Sequence, residues 1–179
     1  MIIVQAGKYI EPLKIQVNFD FQLMMSERQQ IINGILTPVK TQNNSYGLKL
    51  NSKIAKWADV EYKFRKSDFQ NQINDRKNEP TSQQQHQFNL NLYPNKNTYL
   101  SLQNEYYINN FVFQKSQNLF SDLVLRYTFS KRKIDLETNW NNIWNISNLS
   151  MVSINAFSYI ESNYQLRPSQ VIQKIRFSF

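Results

Sequence analysis

Few residues in this chain could make or break a bond. His86 is the only histidine and there is no cysteine, so a histidine-rich metal centre and a Ser-His-Asp triad drawing on alternative histidines are excluded. His86 follows a glutamine run at the start of an alternating segment, with no partner constellation in view. It reads as a surface or lumen residue. Asp135 and Glu137, two apart on one strand face, could form a carboxylate pair or a cation site. Their commoner role is as interior polar residues balancing Lys133. Three glycines leave no phosphate-cradling loop, and the absence of cysteine removes disulfides and thiolate metal ligands. No cofactor and no enzymatic chemistry are expected. Trp57, Tyr93, Tyr99, Trp140 and Trp144 flank the alternating segments, which suits an aromatic girdle at a membrane interface or, alternatively, stacking of sugars or bases in a cleft.

The elements that must carry these residues are strands. Leu13, Ile15, Val17, Phe19, Phe21 and Leu23 alternate with Lys14, Gln16, Asn18, Asp20 and Gln22. Period-2 alternation puts all the apolar side chains on one face of an extended strand. The run covers about 11 residues, the length a tilted strand needs to cross a bilayer and longer than the usual soluble strand of about 5–6.

The same pattern recurs. Leu48, Leu50 and Ile54, then Val60, Tyr62 and Phe64, predict a hairpin with a connection near Ala55 and Lys56. Asn33-Gly34 and Pro38 mark turns in the polar stretch between Ser26 and Asn44. Lys66 to Gln85 has no periodicity and is expected as a long mobile loop. Phe88, Leu90 and Leu92 resume the alternation, Tyr93 to Asn97 forms a tight turn, and Leu100, Leu102, Tyr106 and Ile108 follow. Leu119 to Phe129 and Ile134 to Trp140 flank a short turn at Ser130-Lys131-Arg132. Ser150 to Ile160, with Val152, Ile154 and Ala156, reads as one less regular strand, and Val171 to Phe179 as the last. The count is about nine, with a further strand hidden in Met1 to Lys8 or Ile31 to Val39.

At 41% hydrophobic residues the chain falls below the usual globular share of about 45–50%, so a soluble core would be thin. A membrane barrel avoids this limit because its apolar side chains face lipid and its lumen is polar. No run of about 18 apolar residues exists, which excludes a transmembrane helix. Met1 to Ile10 lacks the features of a secretory signal peptide, so an exported barrel with this sequence is expected to be a fragment or a mature segment. The net charge of +8 comes from singly scattered Lys and Arg, which argues for solvated faces and against nucleic acid as a partner.

Short motifs near the C-terminus carry a resemblance. Asn141-Asn142-Ile143-Trp144-Asn145 and Tyr164-Gln165-Leu166-Arg167-Pro168, the latter just before the closing strand, resemble the ending of TonB-dependent outer-membrane receptors of the Bacteroidetes type and their outer-membrane β-barrel relatives. Gly34 to Thr37, Ile54 to Trp57 and Asn91 to Pro94 fit the same pattern more weakly, so the likeness extends over residues 13–179. It implies that the terminal strand, Ile175, Phe177 and Phe179, is read by the barrel-assembly machinery; an edge with alternating aromatics is also what strand addition requires. It further implies a plug, the missing strands of a barrel of about 22, and TonB acting through that plug.

The expected fold is therefore all-β, a partial antiparallel transmembrane barrel of about nine or ten long meander strands. Residues 1–12 are a lead-in with room for a further strand, and residues 13–179 are the C-terminal portion of the barrel. The expected function is nutrient uptake across the outer membrane, with outer-membrane lipid as surroundings. Two alternatives stay open: a small self-contained outer-membrane pore or structural barrel, and a soluble β-barrel that binds a ligand or single-stranded nucleic acid. One topological conflict accompanies the reading. If the short turns at Pro94 and Ser130 are periplasmic, strict counting puts Phe179 outside, whereas the family puts it inside; either those turns are extracellular or the count is off by one between Ile143 and Gln170.

Overall fold

A computed structural model of the chain describes residues 1–74, 76–110, 115–154 and 159–177. It is an all-β antiparallel meander. The strands are β1 (Ile2–Ile10), β2 (Ile15–Ile32), β3 (Ile35–Ala55), β4 (Ala58–Ile73), β5 (Arg76–Lys77), β6 (Thr81–Asn95), β7 (Thr98–Asn110), β8 (Lys115–Phe129), β9 (Ile134–Asn141), β10 (Asn148–Ile154), β11 (Tyr159–Gln165) and β12 (Gln170–Phe177). The sheet order is β1-β2-β3-β4-β6-β7-β8-β9-β12, with β5 beside β4, and β10-β11 form a separate hairpin. The large sheet does not close on itself: among the described residues, β1 pairs only with β2 and β12 only with β9.

Pairing places each segment's apolar residues on one common face. Val17, Leu50, Tyr62 and Phe88 lie in one cross-strand row, and Ile15, Ser52, Val60, Leu90, Leu102, Leu123, Trp140 and Val171 in the next. Among the described residues no second sheet or helix covers this face; Ser121, which accepts from Trp144, is its one buried polar position. Phe19 and Leu125 are 43% and 42% exposed, and Val39 and Ala58 are the only buried apolar side chains among the described residues. The residues that are buried are mainly polar, among them Ser101, Asn109, Ser121 and Glu137. Total accessible surface is 12585 Å², against about 9,100 Å² for a compact water-soluble chain of this mass.

The hairpin ends are staggered in regular steps. Measured from that second row, the closing pair Ile10↔Ile15 lies in the row itself, Ala58 lies two residues beyond Val60, Thr98 four beyond Leu102, and Ile134 six beyond Trp140. A shift of one residue per strand, at a rise of about 3.3 Å and a strand spacing of about 4.8 Å, tilts the strands by roughly 35° from the axis that levels these turns. We call this the proximal end. It carries the turns at 11–14, 56–57, 96–97 and 130–133, and β12 runs toward it.

Several expectations change. Residues 66–85 are mostly strand: β4 continues to Ile73 and β6 begins at Thr81. Backbone pairing does not require an apolar face, so the ladder extends past the greasy band, with Lys66↔Gln84 and Asp68↔Ser82 still in register. For the same reason β2 and β3 form one hairpin that continues to the Asn33-Gly34 turn. The N-terminal lead-in is a strand, β1. The segment read as one strand near Ser150 to Ile160 contains two, β10 and β11. Counting both removes the conflict over the last strand, which ends on the same side as the turns near Pro94 and Ser130. Phe179 and Ala156 lie outside the described residues.

Candidate solute-facing surface

The face opposite the apolar one carries the polar chemistry. On β3, β4 and β6, Glu61 pairs with Lys49 at 3.0 Å and Lys63 at 2.8 Å, and accepts from Asn89 at 3.1 Å. The row continues as Gln87 donates to Glu105 at 3.1 Å, and the Tyr107 hydroxyl donates to the same carboxylate at 2.6 Å while accepting from Gln85. Asp20, Lys49, Lys63, Arg65, Gln85 and Gln87 border a groove of about 350 Å³. Gly47 sits in its floor. A Cβ there would collide with the Asp20 carboxylate, so the missing side chain lets Asp20 lie flat across the sheet.

A second cluster joins β8, β9 and β12. The carboxylate of Glu137, whose side chain is 8% exposed, receives Arg126 at 2.7 Å, Lys174 at 3.2 Å and Arg176 at 3.3 Å. Asn139 donates to it as well, at 3.1 Å. Arg126 also lies over the Tyr99 ring, 5.9 Å from its centroid. The partners of Glu137 are therefore cross-strand cations, not Lys133. Asp135 accepts from the Thr128 hydroxyl at 2.6 Å. Among the described residues no group of three metal-ligating side chains exists.

At the distal end the connection from β9 to β12 meets the polar face. Asn142, in the left-handed region with φ 51°, donates its backbone N–H to Asp122 at 2.7 Å and its side-chain amide to the carbonyls of Ile146 and Arg167, each at 2.9 Å. Its side-chain oxygen accepts from the N–H of Ile146, and Asn145 accepts from the N–H of Ser169. The two sequence motifs thus meet: Asn142 ties the first to the second at Arg167, next to Pro168. Asn141 pairs with Gln170 across β9 and β12. Tyr164 stands 52% exposed on β11, opposite Leu149. A cavity of about 390 Å³ lies between this connection and β7 and β8, lined by Glu105, Tyr107, Asp122, Asn141, Asn142 and Arg167.

The five aromatic residues do not share one level or face. Trp57 occupies a proximal turn and is 55% exposed. Trp140 lies on the apolar face near the distal end of β9 and donates to Ser169, while Trp144 follows β9 and donates to Ser121. Tyr99 belongs to the polar face, and Tyr93 stacks against it with ring centroids 5.3 Å apart. A girdle needs outward-facing rings, so Tyr93 and Tyr99 are not placed to contribute to one.

A different row went unrecognised in the sequence. Phe64 and His86 sit 5.0 Å apart and His86 and Tyr106 6.1 Å in one cross-strand row, and Phe21 and Tyr46 sit 5.2 Å apart in the row beside it. His86 faces the apolar side, its Nδ1 2.8 Å from the Tyr62 hydroxyl. Each ring was visible as part of an alternating run, but their common level depends on register. Ile175 and Phe177 lie on the apolar face of β12, 59% and 60% exposed.

No protein-family model, no curated protein and no solved structure matches the chain.

Proposed function

We propose that this sheet is part of the wall of an outer-membrane β-barrel of the TonB-dependent receptor type, with its apolar face toward hydrocarbon and its polar face toward a solute pathway. The observation that carries the reading is the uncovered apolar face on a sheet staggered by one residue per strand. From Ile15 to Leu23 the band rises about 26 Å along the strand, or about 22 Å along an axis tilted by roughly 35°, close to the apolar belt of about 25 Å that a barrel presents to lipid.

The free edges give further support. β1 and β12 both run toward the proximal end, so joining them directly would require a parallel pair. All-antiparallel closure needs an odd number of additional strands, which the remaining barrel of such a receptor would supply. The exposed Ile175 and Phe177 give the assembly machinery an aromatic edge to recognise. In this reading the chain performs no bond chemistry, and uptake is driven through a plug and TonB.

The test is solution behaviour of the full chain, expressed without and with detergent. The reading expects aggregation without amphiphile and a monodisperse, strand-rich species in detergent micelles or vesicles. A monodisperse monomer in plain buffer contradicts it.

A further inference from the structure

Register brings four chain segments to one level at the proximal end, and every one of them carries a cation. The turns at 11–14, 56–57, 96–97 and 130–133 hold Lys14, Lys56, Lys96, Lys131, Arg132 and Lys133 against one carboxylate, Glu11. All six are exposed. Among the described residues none of them takes part in an ion pair, whereas Lys49, Lys63, Arg126, Lys174 and Arg176 on the polar face each have a carboxylate within 3.3 Å. The distal end is mixed in sign: Glu27, Asp68 and Glu79 stand among Lys40, Lys66, Arg76 and Lys77. These short turns thus hold six of the 21 cations and one of the 13 carboxylates, directly beyond the apolar band.

We propose that this rim is a docking surface for anionic phospholipid, with the six cations contacting headgroup phosphates of the leaflet at the proximal end. The inference rests on the membrane reading above and adds to it the composition of one leaflet and the orientation of the sheet relative to it. Lysine and arginine suit the task because each reaches a headgroup on a long apolar stem that can lie along the band margin. Trp57, beside Lys56 in its turn, supplies the amphipathic ring that favours the same depth. Attraction of this kind acts over a Debye length and is screened by salt.

The test uses the full chain in vesicles of phosphatidylcholine containing trace spin-labelled phosphatidylglycerol or spin-labelled phosphatidylcholine. The fraction of label immobilised at the protein surface is read by electron paramagnetic resonance. At low ionic strength, about 0.01 M, the rim predicts selection of phosphatidylglycerol on the order of threefold to fivefold. That preference falls toward equality in about 1 M salt and in two separate variants, Lys14→Gln/Lys56→Gln/Lys96→Gln and Lys131→Gln/Arg132→Gln/Lys133→Gln. It persists in the distal variant Arg76→Gln/Lys77→Gln. Equal immobilisation of both lipids overturns the rim while leaving the membrane reading intact, as does a preference abolished by the distal variant and not by the proximal ones. Immobilisation of neither lipid overturns the membrane reading itself and the rim with it.

Discussion

The side-chain amide of Asn142 donates to the carbonyl of Arg167 across the long connection between β9 and β12, at 2.9 Å. The same residue closes its own turn through Ile146 and anchors to Asp122 on β8. One asparagine thus fixes where the β10-β11 excursion leaves the sheet and where it returns. Its φ of 51° is one that asparagine tolerates better than most residues.

Replacing it by alanine removes the side-chain bonds and disfavours the backbone conformation. Asn142→Ala is expected to lower stability by about 1–3 kcal/mol and to speed hydrogen exchange at Ile146. Asn142→Asp retains the acceptor for the Ile146 N–H but loses the amide donor to the carbonyls of Ile146 and Arg167 and sets a carboxylate oxygen against both, so it is expected to cost at least as much stability as alanine. Denaturant unfolding in micelles gives the first quantity, and exchange measured by mass spectrometry the second.

Glu137 organises the last three strands of the sheet by receiving Arg126, Lys174 and Arg176. Glu137→Gln leaves three cations on adjacent strands without their shared carboxylate, and a loss of about 1–2 kcal/mol is expected after allowance for the partial exposure of the cations. A double-mutant cycle with Arg126→Met checks it: the two substitutions should be less than additive, and full additivity would remove the proposed coupling.

Gly47 and Asp20 occupy one space. Gly47→Ala sets a methyl group where the Asp20 carboxylate lies; that carboxylate ends a rotatable side chain and can turn away, so a loss below about 1 kcal/mol is expected. Asp20→Ala/Gly47→Ala should remove that loss, since alanine at 20 vacates the site. Thermal unfolding of the two variants side by side makes the comparison.

Much of this architecture was legible in the sequence. The alternation at 15–23, 46–64, 88–108 and 119–140 reported which residues share a face, because side-chain direction in a strand is a local property. Strand ends were less legible. Lys66 to Gln85 has no apolar period, yet most of it pairs, since the ladder is made by backbone groups that every residue but proline carries. Other features were non-local: the aromatic row through Phe64, His86 and Tyr106, the meeting of Glu137 with β12, and the level of the four basic turns all depend on register. Asn142 was marked only by resemblance, and its bonding role depends on Arg167, 25 residues away.

The two faces of β6 are expected to respond oppositely to charge. Leu90→Arg puts a guanidinium on the apolar face and should cost about 2–4 kcal/mol in a bilayer, while Asn89→Arg, one residue away on the polar face, should be close to neutral. Folding titrations in vesicles distinguish them; equal penalties would deny that the faces meet different surroundings.

The central claim is that one face of this sheet meets hydrocarbon and the other water, and spin labels placed one at a time along β8 from Leu119 to Phe129 test it most directly. In vesicles, accessibility to oxygen should peak at 119, 123, 125, 127 and 129, with 121 shielded beside Trp144, and accessibility to a water-soluble nickel chelate at the even positions between them. The other odd positions shielded from both reagents, as in a packed protein core, would contradict the account.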